Sequence, residues 1–204
     1  MVKKLAGKNK KMSWKREFAD LVEDSFFYLK ENKKYVYASA LIFFASSIFG
    51  YVYSARLGFF DKLIEEIVKS TRDLDYLEMI WFIFSNNVTS SLSALFLGAF
   101  FGIFPLFNAL FNGSILGYVY SKASSIAGYL VIWQLIPHGI FELPAIFISL
   151  GLGIHLGFSF FASKDKINTF RFRFKESFKV FLVIVVPLLA LAAIIESSLI
   201  FFMG

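Results

Sequence analysis

From Asn87 to Phe161 the chain runs for 75 residues with one Lys (Lys122), one acid (Glu142) and two His (His138, His155), and nearly all the rest is apolar or small. A water-soluble domain covers its surface with polar and charged side chains, so a stretch this long and this bare cannot fold as one. A helix crosses a bilayer with about 20 predominantly apolar residues. The stretch holds room for three such helices. Tyr35 to Ser54 carries no charge, and Val180 to Phe202 is broken only by Glu196 and two Ser. The predicted class is therefore all-α, a polytopic transmembrane helical bundle of about five spans. With 57% hydrophobic residues and 28 Phe, the whole chain reads as one membrane domain at 35–204 behind an amphipathic segment at 1–34.

The placement of charge sets an expected orientation. Met1 to Lys34 carries ten Lys/Arg, Ala55 to Asn87 four against six acids, and Ser163 to Ser177 five against two acids. Basic flanks stay cytoplasmic, which puts 1–34 and 163–177 inside and the acidic segment outside, in the plasma membrane. The spans are expected at 35–54, 88–111, 113–136, 140–162 and 178–202, with the C-terminus external. Asn108, Asn112 and Gly113 mark the second and third spans as a tight hairpin whose helices pack on one another. The third span is expected to break near Tyr120 to Ser125 or to sit there against a water-filled crevice; in the rival layout Gly113 to Tyr120 is a half-helix with re-entrant chain after it. No apolar core precedes Lys34, so the first span reads as a signal anchor. The absence of Cys removes disulfides, thiolate metal sites and a cysteine nucleophile together.

The flanking segments repeat apolar residues at helical spacing. Trp14, Phe18, Leu21, Val22 and Leu29 alternate with charged residues after an N-cap candidate at Ser13, which predicts a helix lying on the membrane face. Leu63 and Ile67, then Leu77, Ile80, Trp81 and Phe84, do the same in the acidic segment, with Asp61 placed to cap the first piece. Phe170 to Lys175 alternates aromatic and basic residues. Interfacial anchoring with snorkelling Arg accounts for that run, as does contact with anionic lipid head groups; nucleic acid does not, since a basic face for it would stand clear of the bilayer.

Small residues recur every fourth position at Ser46, Gly50, Ser54; at Ala94, Gly98, Gly102; at Gly113, Gly117, Ser121, Ser125; and at Ser149, Gly153, Gly157. Lipid tails are as apolar as Leu, so helices in a bilayer associate through close backbone approach at small residues. These stripes predict packing seams. Four seams in a small bundle also suggest that one faces a second copy, hence a homodimer.

Chemistry, if the chain has any, is expected around Pro137 to Pro144 (PHGIFELP). His138 and Glu142 are four apart and share a helical face, within hydrogen-bond reach. A carboxylate inside a membrane is costly unless paired, and such residues mark ion or proton paths as well as polar staples. A staple that holds a kinked or interrupted helix is the plainer reading. A polar path would add Asn108, Asn112 and Lys122; a metal centre would need His155 to come across from more than three turns away. No HExxH, GxSxG or Walker pattern is present, and no cofactor is expected.

The Asn86-Asn87 pair, Gly98 and Gly102, Asn112-Gly113 with Gly117, and then PHGIFELPAI from Pro137 to Ile146 resemble the stage II sporulation protein M family over about residues 35–202. The resemblance implies a polytopic membrane protein; the family's namesake works with cell-wall-degrading partners as their membrane scaffold. This chain has almost no extramembrane domain on which such enzymes could dock. The expected function is a non-enzymatic, homodimeric scaffold for membrane or envelope partners. The alternative is a small transporter or channel lined at His138 and Glu142, and an intramembrane hydrolase is third.

Overall fold

The structure, a computed structural model, describes the backbone of residues 2–162 and 164–203 and the side chains of residues 14–130, 139–162 and 164–202. Among these it is helical with short connections and no strand. Helix α1 (Val2–Glu31) leads after a single turn residue into α2 (Lys33–Val52). A 3₁₀ turn at Ser54–Arg56 precedes α3 (Phe59–Thr71), and then come α4 (Tyr76–Leu97), α5 (Ile103–Ala127), α6 (Ile132–Gly157), the one-turn α7 (Ser159–Ala162) and α8 (Lys166–Val180). A π-helical turn, Phe181–Val185, carries α8 into α9 (Val186–Met203). Among the described residues five helices are long and apolar enough to cross a membrane: α2, α4, α5, the part of α6 from Gly139 to Gly157, and the rod formed by α8 and α9. The protein is a multi-pass membrane protein.

Helix α6 is the axis of the bundle. Its apolar window is 56% buried, against 22 to 39% for the other spans. Ala145, Ile148 and Leu152 pack there with Leu95 of α4 and with Val180, Ile184, Val185 and Leu189 of the last rod. Pro187 has no N–H to offer the carbonyl of Val183, and the π-helical turn just before it takes up that mismatch. The rod of 37 residues from Lys166 to Phe202 is about 55 Å long, well beyond a hydrocarbon core of about 30 Å, so α8 projects past the bilayer and the basic segment expected inside at 163–177 is largely helix.

Several expected boundaries move. The second span is α4, beginning at Tyr76 and not at Val88, because Asp75 and Glu78 form a capping box that starts the helix there: Glu78 N–H donates to Asp75 Oδ1 at 2.9 Å and Asp75 N–H to Glu78 Oε2 at 2.9 Å. The repeat Leu77, Ile80, Trp81, Phe84 is thus the first half of a span. The turn between the second and third spans lies at Gly98 to Gly102, not at Asn108 to Gly113. Gly102 (φ +72°) and Phe101 (φ +57°) are both left-handed there, a conformation that costs Phe101 strain and Gly102 none. The helices flanking this turn pack chiefly on others, α4 on α6 and α9 and α5 on α2. Helix α5 runs unbroken through Tyr120 to Ser125, and α6 is helical through Pro137 and Pro144, so neither expected interruption exists. Ser13 lies inside α1 rather than at its start. Asp61 does not cap α3, which opens at Phe59 after Gly58; its carboxylate accepts a hydrogen bond from Tyr118 Oη instead.

The small-residue stripes are filled from within the chain. A Cβ on Gly113 or Gly117 would strike the backbone of Phe43 or Ser47, and one on Gly50 that of Ser114, so α2 and α5 run parallel in close contact. Helices α4 and α6 do likewise, Gly98 against Gly153, Gly153 against Ala94, and Gly157 against Gly98 and Gly102. Gly102 also abuts Ile154, with a Cβ there 3.4 Å from its Cα. Ser46 Oγ donates to Ala109 O (3.3 Å) across the α2–α5 seam, and Ser39 Oγ to Phe147 O (2.9 Å) ties α2 to α6. With each stripe occupied internally, none supplies an argument for a second copy.

Candidate functional site

At the α3 end of the bundle the spans do not close. A cavity of about 1350 Å³ lies among α2, α4, α5, α6 and α9, with Ile67, Val68, Thr71 and Arg72 from α3 and its C-terminal cap forming one wall. The reason is local. Close seams need small residues, and the stripes that hold α4 on α6 lie from Ala94 and Ser149 onward, toward the α1 end. On the other half of α4 and α6 stand Met79, Phe82 and Ile83 and Ile140 and Leu143, and Ile115, Leu116 and Val119 of α5 line the same space. Bulky side chains hold the backbones apart, and the space between them stays open.

Four polar groups of the cavity, Asn87, Asn112, Glu142 and Glu196, are half-buried. Asn87 is 11 residues from the start of α4, about 16 Å along the helix and so near the middle of a hydrocarbon core of about 30 Å. Glu142, half-buried, lies close enough to Asn87 of α4 and to Glu196 of α9 to interact electrostatically with both. Asn86 and Asn112 line the same space. Asn112 Nδ2 donates to Asn108 O at 3.0 Å and to Asn108 Oδ1 at 3.1 Å, one turn back on α5. These amides are therefore helix-face groups and not turn residues. Arg72, at the α3 end, contributes the positive charge of the lining and is solvent-exposed.

Of the residues expected to form the site, Glu142 and Asn112 enter the cavity and Asn108 supports Asn112 from behind. The His138 side chain lies outside the described residues, and with it the expected pairing to Glu142. Lys122 is elsewhere: exposed at the α3 end, 3.7 Å from Asp61 Oδ2 and over the ring of Tyr118 at 5.4 Å. There it fastens α3 to α5, helped by Phe60, only 2% exposed and packed on Phe111 and Tyr118. The residues that sequence reasoning left out of the site are Asn87, named only for the family resemblance, and Glu196, noted only as a break in an apolar run. Both were legible as polar groups inside spans, where their cost demands a reason.

His155 stands apart from this site, 13 residues beyond Glu142 on α6, about 20 Å along the axis. Its ring packs on Tyr35 with centroids 4.8 Å apart, and Nδ1 lies 3.3 Å from Tyr28 Oη. Arg173 Nη1 of α8 donates to the His155 carbonyl at 2.7 Å. The cluster joins α1, α2, α6 and α8. Burial pushes the Tyr28 phenol above its ordinary value, so it stays a neutral hydrogen-bonding group at physiological pH. A metal centre joining His155 to Glu142 is excluded by that separation. Among the described residues no three His, Asp or Glu gather in a way that could hold a metal ion.

Comparison with known proteins agrees with the architecture. An uncharacterized protein of Methanocaldococcus jannaschii is 30% identical over 185 residues, covering 83% of each chain. No solved structure matches the chain. The family model described as stage II sporulation protein M matches residues 39–199, which includes most or all of each of the five spans together with Asn87, Asn112, Glu142 and Glu196. By that match the chain belongs to the stage II sporulation protein M family.

Proposed function

We propose that the protein binds an organic molecule in the cavity between its spans and carries it through the membrane, acting as a small transporter without catalysing a reaction. The single observation behind this reading is the 1350 Å³ cavity that reaches from α3 to Glu142 at mid-membrane. Ligand pockets are concave, mostly apolar and furnished with a few convergent polar groups, and their volumes fall in the range of several hundred to about a thousand Å³. A polar staple would instead be enclosed by packing. The basic α1 and α8 support a reading with the α1 end in the cytoplasm and the cavity mouth outside, in the plasma membrane. Scaffolding of envelope partners is the competing reading. It requires no ligand, and the test separates the two. The purified protein in nanodiscs is titrated with N-phenylnaphthylamine, an uncharged apolar fluorophore. Saturable binding above that of empty discs, abolished by Leu143→Trp in the cavity wall, is expected. Binding no greater than that of empty discs overturns the reading and leaves the scaffold.

A further inference from the structure

We infer that the cavity takes an amphipathic organic cation, its charge lodged between Glu142 and Glu196 and its apolar body against Phe43, Phe82 and Phe201. The inference rests on the cavity reading and assigns its ligand class. Three independent features of the lining converge on it. The first is charge. The described lining holds two carboxylates and one guanidinium, and these differ in setting: Arg72 is exposed at the mouth, where solvent screens it, while Glu142 and Glu196 stand on spans in low dielectric. Two like charges in one such cavity repel each other, and a cation between them relieves both the repulsion and the cost of burial.

The second feature is the rest of the wall. Phe43, Phe44, Phe82, Phe201 and Tyr120 give the cavity aromatic faces, which attract cations and bury apolar surface at the same time. The third is size. A bare inorganic cation is held by six or more oxygens in a tight cage. A largely apolar space of 1350 Å³ offers no such cage but has room for a bulky organic body. An anionic amphiphile, such as a fatty acid or a phospholipid head group, would place its charge against the two carboxylates. The amides of Asn86, Asn87 and Asn112 provide neutral hydrogen-bonding partners beside the acids and so add no competing charge.

The test uses two probes of one shape and opposite charge, tetraphenylphosphonium and tetraphenylborate, with the full chain in phosphatidylcholine nanodiscs and equilibrium dialysis as the readout. The wild type is expected to bind tetraphenylphosphonium saturably and tetraphenylborate at least about tenfold more weakly. The double variant Glu142→Gln with Glu196→Gln, which keeps the side-chain shapes, should lose that preference. Equal binding of the two probes by the wild type overturns the inference without any variant, and undiminished phosphonium binding by a folded double variant does the same. N-phenylnaphthylamine keeps the two levels apart. If it binds while charge makes no difference, the cavity reading stands and the cation falls; if neither it nor the phosphonium binds, both fall.

Discussion

A single methyl group at Gly98 tests the seam that shapes both the fold and the cavity. A carbon added there would sit 2.6 Å from both Cα and the carbonyl carbon of Gly153. Non-bonded carbons rest at about 3.5 to 4.0 Å, so α4 and α6 must part by on the order of 1 Å, and a gap of that size forfeits a quarter to a half of each dispersion contact along the seam. The obstacle is backbone, which cannot swing aside as a side chain can. Gly153 and Gly157 meet α4 and the turn after it through backbone in the same way, so the separation is felt over two turns. Overpacking of this kind costs about 1 to 3 kcal/mol, and Gly98→Ala is expected near 2 kcal/mol. Gly139→Ala is the control with the same chemistry. Among the described residues its added carbon meets only the Leu143 side chain, with Cδ1 at 3.6 Å, an ordinary contact, and alanine in a helix gains about 0.5 to 1 kcal/mol over glycine. Thermal unfolding of the two variants in one detergent should therefore move in opposite directions. A melting temperature for Gly98→Ala equal to or above that of Gly139→Ala would refute the seam as the source of stability.

The orientation has a direct readout because the chain has no Cys. In intact cells, a membrane-impermeant maleimide should label Glu66→Cys on α3 and spare Asn168→Cys at the start of α8; the reverse pattern would invert the molecule. Lys122→Ala should leave N-phenylnaphthylamine binding unchanged and shift stability by less than about 1 kcal/mol, since its ion pair with Asp61 is exposed. A loss of probe binding would put Lys122 back in the site. Phe60→Ala should free α3, whose hold on the bundle is Phe60 beside Asp61, and so speed maleimide labelling of Asn87→Cys several-fold. Unaltered labelling would show that α3 does not control entry to the cavity.

Sequence alone settled the solvent and the class. Length and apolarity decide whether a helix can cross a bilayer, and both are properties of consecutive residues, so five spans were countable without a structure. It also marked Glu142, since an acid at the heart of an apolar run is conspicuous wherever that run packs. The boundaries failed for an instructive reason. Asn112 and Gly113 read as turn residues under rules learned from water, whereas in a bilayer Gly113 admits the α2 backbone and Asn112 bonds back to Asn108. The start of α4 was legible, in the capping pair Asp75 and Glu78, but the acids around it looked like a loop. The cavity belongs to tertiary structure alone. It exists because the small residues that join α4 to α6 lie toward the α1 end of that pair and bulky ones toward the α3 end, and because Glu196, 54 residues after Glu142 in sequence, comes back to line the same space on α9. Spacing along a chain records what one helix presents, and only the packing of several helices decides which faces meet and what space they leave between them.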